Sequence, residues 1–298
     1  DWSSDVCSSD LRESNISLRI LQKLAMRYSI RGMARSLVIA AFVAAPSIIF
    51  APTASGAGFD EGWRAYQAGN FAVALREWST LANAGNSRAQ FNLGVLFDEG
   101  RGVEESRAMA IDWWQKAAAG GHKQALHNLG LAHLFGRGVA KDFDKAIGFF
   151  KQASSRGLAR SQYNLGKMYA VGFGVEQDQS QAFKWIMMAA ESGVHQAQYN
   201  IGKMFRDGTG TDADARSAAR WFLAAANQGY AKAQNHIGVR LARGDGIQRN
   251  EIEALKWLIL AEKSGHELAS QNRRDLSMKL TIEQRAEAKT LAAGFAPR

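Results

Sequence analysis

Residues Leu158–Gly193 read LARSQYNLGKMYAVGFGVEQDQSQAFKWIMMAAESG. Ser161, Leu165, Gly166, Met168 and Tyr169 are small or apolar residues at helical spacing. The spacing predicts a helix that ends near Val171. Gly172-Phe173-Gly174 supplies a turn, since glycine tolerates the left-handed backbone that closes a helix. A second helix then carries Ala182, Phe183, Trp185, Ile186, Ala189 and Ala190 on one face, and Gly193 stops it. The stretch is therefore two antiparallel helices.

The same 36-residue unit occurs five times from Asn86 to Gly265 without insertion or deletion. The copies begin at Asn86, His122, Leu158, Val194 and Tyr230. One glycine column is Gly94, Gly130, Gly166, Gly202 and Gly238, and a G-x-G pair follows it in every unit. A fixed period of this length means a stack of units, each burying its apolar face on its neighbours. Alanine or serine at 89, 125, 161, 197 and 233 and the Gly94 column let two backbones approach closely. The aromatic column Trp113, Phe149, Trp185, Trp221 and Trp257 is expected to fill the space beside them. Met168, Met187, Met188 and Met204 fall beside that column and are expected in the core.

The pattern A-x-Y-N-L-G-x-M-Y-x-x-G-x-G-V, a charged turn, and Q-A-F-K-W-x-x-x-A-A-x-x-G resembles the Sel-one-like repeat, a relative of the tetratricopeptide repeat. The resemblance spans all five units. It implies an all-α, right-handed α/α superhelical solenoid that binds other molecules, its first helices lining the concave wall.

Outside the repeats the chain divides further. Asp1–Leu11, DWSSDVCSSDL, resembles the translation of a sequencing adapter, so residues 1–25 read as a non-native or untranslated upstream segment. Residues 26–57 read as a signal peptide. Arg27, Arg31 and Arg35 precede the apolar run Leu37–Ala51, and Ser55-Gly56-Ala57 offers a small-x-small cleavage site. The run falls short of the ~20 apolar residues of a membrane span, and Pro46 interrupts it. Translation starts at Met26 or Met33 on this reading. Residues 58–85 form an N-terminal capping helix pair around Gly62, Ala74 and Trp78. Residues 266–298 form C-terminal capping helices. Thr281 and Gln284 make a capping box there, and Ile282, Ala286 and Leu291 are expected to face the stack.

Composition narrows the function classes. The single cysteine is Cys7, so the chain from Gly58 has neither disulfides nor cysteine-zinc sites. The formal charge of +9 falls to +7 without residues 1–57, which hold six Lys/Arg and four Asp/Glu. No polybasic run or aromatic nucleic-acid motif accompanies that charge, which argues against a nucleic-acid partner. No G-x-S-x-G, S-x-x-K, H-E-x-x-H or phosphate-binding glycine loop is present, so no catalytic residue, metal or cofactor is expected. His127 and His133 fall on different helix faces, which disfavours a metal site.

Positions three, six, seven and ten of each first helix share a face. They are Arg160, Tyr163, Asn164 and Lys167 in the third unit, with Tyr199, Asn200 and Lys203 in the fourth. Asn128 and His236 occupy position seven of the flanking units. Amides and phenols of this kind suit peptide backbones or sugars, and lysines attract carboxylates. Alternatively, each Asn bonds the neighbouring unit's backbone and only spaces the stack. The leading function is a non-enzymatic scaffold of the bacterial cell envelope that binds an extended, acidic protein or peptide segment. The alternatives are a protein that binds cell-wall glycan, peptidoglycan fragments or β-lactams in the manner of a hydrolase, or a regulator of envelope polysaccharide.

Export is directly testable. N-terminal sequencing of the protein from a periplasmic fraction should begin at Gly58, with no stable membrane insertion. Uncleaved protein in washed membranes would identify an anchor instead.

Overall fold

The computed structural model describes residues 57–297. The expected leader and upstream segments, residues 1–56, lie outside the described residues. Fourteen helices and no strand occur among the described residues: α1 (Ala57–Gln67), α2 (Phe71–Asn83), α3 (Ser87–Glu99), α4 (Arg107–Ala119), α5 (Lys123–Phe135), α6 (Phe143–Ser155), α7 (Ala159–Val171), α8 (Gln179–Glu191), α9 (His195–Asp207), α10 (Ala215–Asn227), α11 (Ala231–Arg243), α12 (Glu251–Lys263), α13 (Glu267–Ser277) and α14 (Ile282–Ala293). Odd-numbered helices are the first of each pair. Packing runs between consecutive helices from α1 to α13, and at the C-terminal end α14 folds back on α12. This nearest-neighbour arrangement is an α/α solenoid of seven helix pairs.

Local sequence explains where each helix starts and stops. Second helices begin on Asn70, Ser106, Asp142, Asp178, Asp214 and Asn250, whose side chains accept backbone N–H groups of the first turn. First helices of the repeats close on the leading glycine of the G-x-G pair. Gly172 has φ 82° and donates its N–H to Met168 O. The second glycine of the pair has a different task. A Cβ at Gly246 would sit 2.0 Å from Ala215 O, and one at Gly210 would sit 2.1 Å from Gln179 O. These are the first residues of the preceding second helices, so this glycine sets how closely one unit abuts the last.

The glycine column on the first helices does mark the tightest contact within a pair, but its partner differs from the expected one. Trp114, Phe150, Ile186, Phe222 and Leu258 lie over Gly94, Gly130, Gly166, Gly202 and Gly238. The aromatic column one residue earlier packs elsewhere: Trp113 joins the Phe59–Leu96 cluster, Trp185 joins the cluster that holds Ala146, Phe150 and Leu165, and Trp257 meets Phe295. Successive residues on a helix point about 100° apart, so one position decides which neighbour a side chain meets. Met168 and Met204 are buried as expected, whereas Met188 is 43% exposed.

The C-terminal cap also differs in its facing. The capping box at Thr281 and Gln284 forms, and the helix begins at Ile282. Ile282 is 73% exposed and Leu291 38% exposed, and Ala286 faces solvent as well. Ala288 and Ala292 are buried in their place. Small side chains let α14 lie close on α12, and Phe295 completes the seam edge-on to Trp257 at 5.3 Å.

A valine at Gly166 tests the central contact. Its Cβ would meet Ile186 Cγ1 at 2.5 Å and Ala182 O at 3.1 Å. Gly166→Val should therefore cost at least ~1–3 kcal/mol by overpacking in urea denaturation. Gly193→Ala, with nothing within 4 Å but φ 88°, should cost only the left-handed strain of about 1–2 kcal/mol. An unchanged midpoint for Gly166→Val would refute the assigned helix contact.

Candidate functional site

The predicted stripe occupies the faces where successive first helices meet. Asn200 Nδ2 donates to Tyr163 Oη at 2.8 Å. One unit further on, Tyr199 Oη and His236 Nε2 lie 3.4 Å apart. One unit beyond that, Asn272 Nδ2 donates to Asn235 Oδ1 at 2.8 Å. Each rung joins residues 37 apart, which is position six of one unit and position seven of the next. The stripe is thus partly a ladder that sets the spacing of α7, α9, α11 and α13. Asn200 performs the spacing role through a side chain, not through the neighbour's backbone. Asn235 and Asn272 extend the ladder beyond the residues singled out from sequence. Position six of the fifth unit and position seven of the cap that follows it could have shown them.

The remaining predicted residues are distributed along this wall. Asn164 is buried at 8% exposure, and Arg160 is exposed. Lys167 Nζ lies 5.2 Å from the Tyr163 ring centre, and Lys203 Nζ lies 5.9 Å from that of Tyr199. Both lysines lean on tyrosines one turn earlier in the same helix, a favourable cation–π placement. Asn128 lies apart from them, in a small cleft with Asp98, Trp114 and Arg137. Burial raises the Asp98 carboxyl, against the opposing pull of Arg107 and Arg137.

Two histidines are embedded in the wall. His236 stacks on Phe222 with ring centres 4.8 Å apart. Burial first, then Arg206 and other nearby cationic groups, pushes its pKa down to about 4. His127 sits with Nδ1 2.8 Å from Ser161 Oγ and is likewise pushed down to about 4, by burial and then by Arg160. Both imidazoles are neutral at pH 7. No group of three His, Cys, Asp or Glu side chains able to hold a metal occurs among the described residues.

Two features escaped the sequence reading. Gln90, Gln198 and Gln234 are buried and donate Nε2 to Ala82 O, Ala190 O and Ala226 O. Those carbonyls lie in the last turns of the preceding second helices and also accept the N–H of Gly85, Gly193 and Gly229, so each glutamine supplies a second donor. The recurring Ala-Gln dipeptide at the start of first helices was the available signal. The second feature is a cleft of about 240 Å³ across α1, α3 and the start of α5, lined by Phe59, Trp63, Arg88, Phe91, His122 and Gln124 among others. Arg88 and Phe91 hold positions three and six of the first unit, so the cleft lies on the predicted face at the opposite end of the wall.

The family model described as Sel1 repeat matches residues 87–122, 123–158, 159–194, 195–230 and 231–266, one residue later than the phase chosen above. The chain is similar to a protective antigen of uropathogenic Escherichia coli displaying an SLR fold, with 29% identity and a TM-score of 0.70, over 80% of this chain and 52% of the antigen. The chain thus spans about half the antigen's length. It is also similar to a Sel1 repeat protein from Oxalobacter formigenes, with 26% identity and a TM-score of 0.67, over 79% of this chain and 96% of that one. No curated protein matches the chain.

The buried histidines make a pH prediction. Their folded pKa values lie below the unfolded value of 6.5, so the unfolded chain takes up protons first. Stability should be full above pH 6.5 and fall toward pH 4, by about 1.4 kcal/mol per pH unit for each histidine. His236→Asn, the residue its column carries in the first four units, should shallow that slope in urea denaturation. An identical slope in the variant would show that His236 titrates normally.

Proposed function

The chain belongs to the Sel1 repeat family, and on that premise we propose a non-catalytic scaffold of the bacterial cell envelope that holds an extended protein segment along its first helices. Arrays of this family are protein-interaction scaffolds. The observation that carries the finer reading is the wall itself. One helix face recurs from α1 to α13 and presents rings, amides and lysines in register. Stacked helices repeat at roughly 10 Å and an extended chain advances about 3.3 Å per residue, so every third ligand residue meets an equivalent position. The envelope location is supported by the basic flank, apolar run and small-residue site of residues 26–57.

Roles on the wall divide by geometry. Asn200, His236 and Tyr163 hold the spacing of the first helices, so they act on a ligand chiefly by keeping the wall in register. Lys167 and Lys203 supply positive charge where the other three units have Val95, Leu131 and Val239. Arg160 lies on the same helix face as Lys167, and the half-buried Asn128 stands apart in its own cleft. Charge confined to two adjacent units favours an acidic segment there, with binding that weakens as salt rises.

The test is the double change Lys167→Ala with Lys203→Ala, assayed by capture of partners from an envelope extract. Capture should weaken clearly, while stability should fall by no more than about 1–2 kcal/mol for two lost cation–π contacts. If capture is unaffected while Asn200→Ala unfolds the protein, the stripe is purely structural.

A further inference from the structure

We propose that the cleft across the N-terminal ends of α1, α3 and α5 binds an acidic side chain adjacent to an aromatic side chain in an extended peptide. The inference rests on the scaffold reading and names what the wall recognises at this end.

The wall changes character here. From the third unit onward, positions six and seven of successive units are joined by hydrogen bonds. In the first unit position six is Phe91, a ring with no donor or acceptor for such a rung. Phe91 instead stacks on His122, with centres 4.5 Å apart and planes 23° apart. Beside this stack, between α1, α3 and the start of α5, lies the 240 Å³ cleft.

Its walls have two chemistries. Trp63 is 44% exposed and stacks on Tyr66 at 5.7 Å and 12°, so the indole is a fixed platform open to solvent. Rigid exposed aromatic rings of this kind dominate recognition surfaces, because ordering them on binding costs little. Arg88 lies across the Phe59 ring with Cζ 4.1 Å from its centre. No described carboxylate comes within the 4.0 Å of an ion pair with it. Asp60 lines the same cleft and offers an acceptor to a ligand N–H, as Asn92 and Gln124 offer amides to its backbone. His122 does not add charge, since burial and then Arg88 lower its pKa. Arg88 is thus a guanidinium held in place by stacking, with its donor edge available to a carboxylate.

The occupant follows from these groups. The aromatic platform and Arg88 ask for a ring beside a carboxylate, and the amides ask for a peptide backbone. The cleft crosses three helices in line with the wall, which suits a chain passing through it and an acidic side chain in preference to a chain end. Residues 26–56, which precede α1 in the chain read from Met26, contain no acidic side chain. The chemistry therefore points to a separate partner.

The probes are blocked tetrapeptides, acetyl-Gly-Phe-Glu-Gly-amide and its Gln and Ala-Glu counterparts, titrated into isotope-labelled protein. The Trp63 indole N–H resonance, assigned from its loss in Trp63→Phe, reports occupancy. The Glu peptide should bind about tenfold tighter than the Gln peptide, the effect of one charge-assisted hydrogen bond in a partly open site. Arg88→Gln should abolish that preference and Arg88→Lys should retain part of it, which separates charge from misfolding. Lys167→Ala with Lys203→Ala should leave the preference intact. Equal binding of the Glu and Gln peptides, or a preference that survives Arg88→Gln, overturns the inference. So does a preference lost only in the double lysine variant, although the scaffold reading then stands. A free C-terminal carboxylate that binds where the blocked Glu peptide does not would overturn it too.

Discussion

Everything in this protein depends on how closely two helix backbones approach at the glycine of each first helix. With no Cβ at Gly94, Gly130, Gly166, Gly202 or Gly238, the facing side chain of the second helix lies directly over the backbone. That facing residue varies from Trp114 to Phe150, Ile186, Phe222 and Leu258. The absence of a side chain is thus the invariant part of the contact, and the group that fills the space is adjustable. Interiors packed to this density leave little freedom for alternative crossing geometries. Each pair becomes a stiff unit with a defined outer surface.

Stiff pairs still need a rule for joining, and three devices supply it. The second glycine of each G-x-G pair abuts the start of the preceding second helix. Buried glutamines satisfy carbonyls at the end of that same helix. The ladder from Tyr163 to Asn272 then joins the first helices directly. All three act only between neighbours, so stability is a sum of unit and interface contributions. The ladder also shapes function. Where it exists, polar groups of the wall are largely occupied with one another. At the N-terminal end, beyond the ladder, the wall opens into a cleft with an exposed tryptophan and an arginine outside any ion pair among the described residues. The binding capacity of a repeat array thus arises where the repeat is imperfect.

Much of the fold was legible because the period is carried by residues with strong local preferences. Gly172 closes α7 at the expected place, and Thr281 starts α14 as its capping box requires. The errors were errors of facing. Trp113 was paired with Gly94, but Trp114 holds that place. Ile282 and Leu291 were placed inward, but alanines occupy the seam. Apolar character indicates that a residue can be buried, yet at a terminal helix the room available decides whether it is. For the site, the stripe of polar residues was visible as a set of columns. Its internal hydrogen bonds were not, because they join residues 37 apart and depend on the lateral offset of neighbouring helices.

The sequence by itself determined the unit, its length, the number of repeats and the helix ends, since period, caps and left-handed glycines are properties of short stretches of chain. Tertiary structure alone decided which neighbour each side chain meets, which polar groups bond one another and which stay open to a ligand. A shift of one residue turns a side chain by about 100°, and whether that turn meets glycine, carbonyl or solvent depends on the adjoining unit. The cleft at Trp63 and Arg88 illustrates the division. Its residues come from the N-terminal capping helix and from ordinary repeat positions, and only the stacking of three helices turns them into a site.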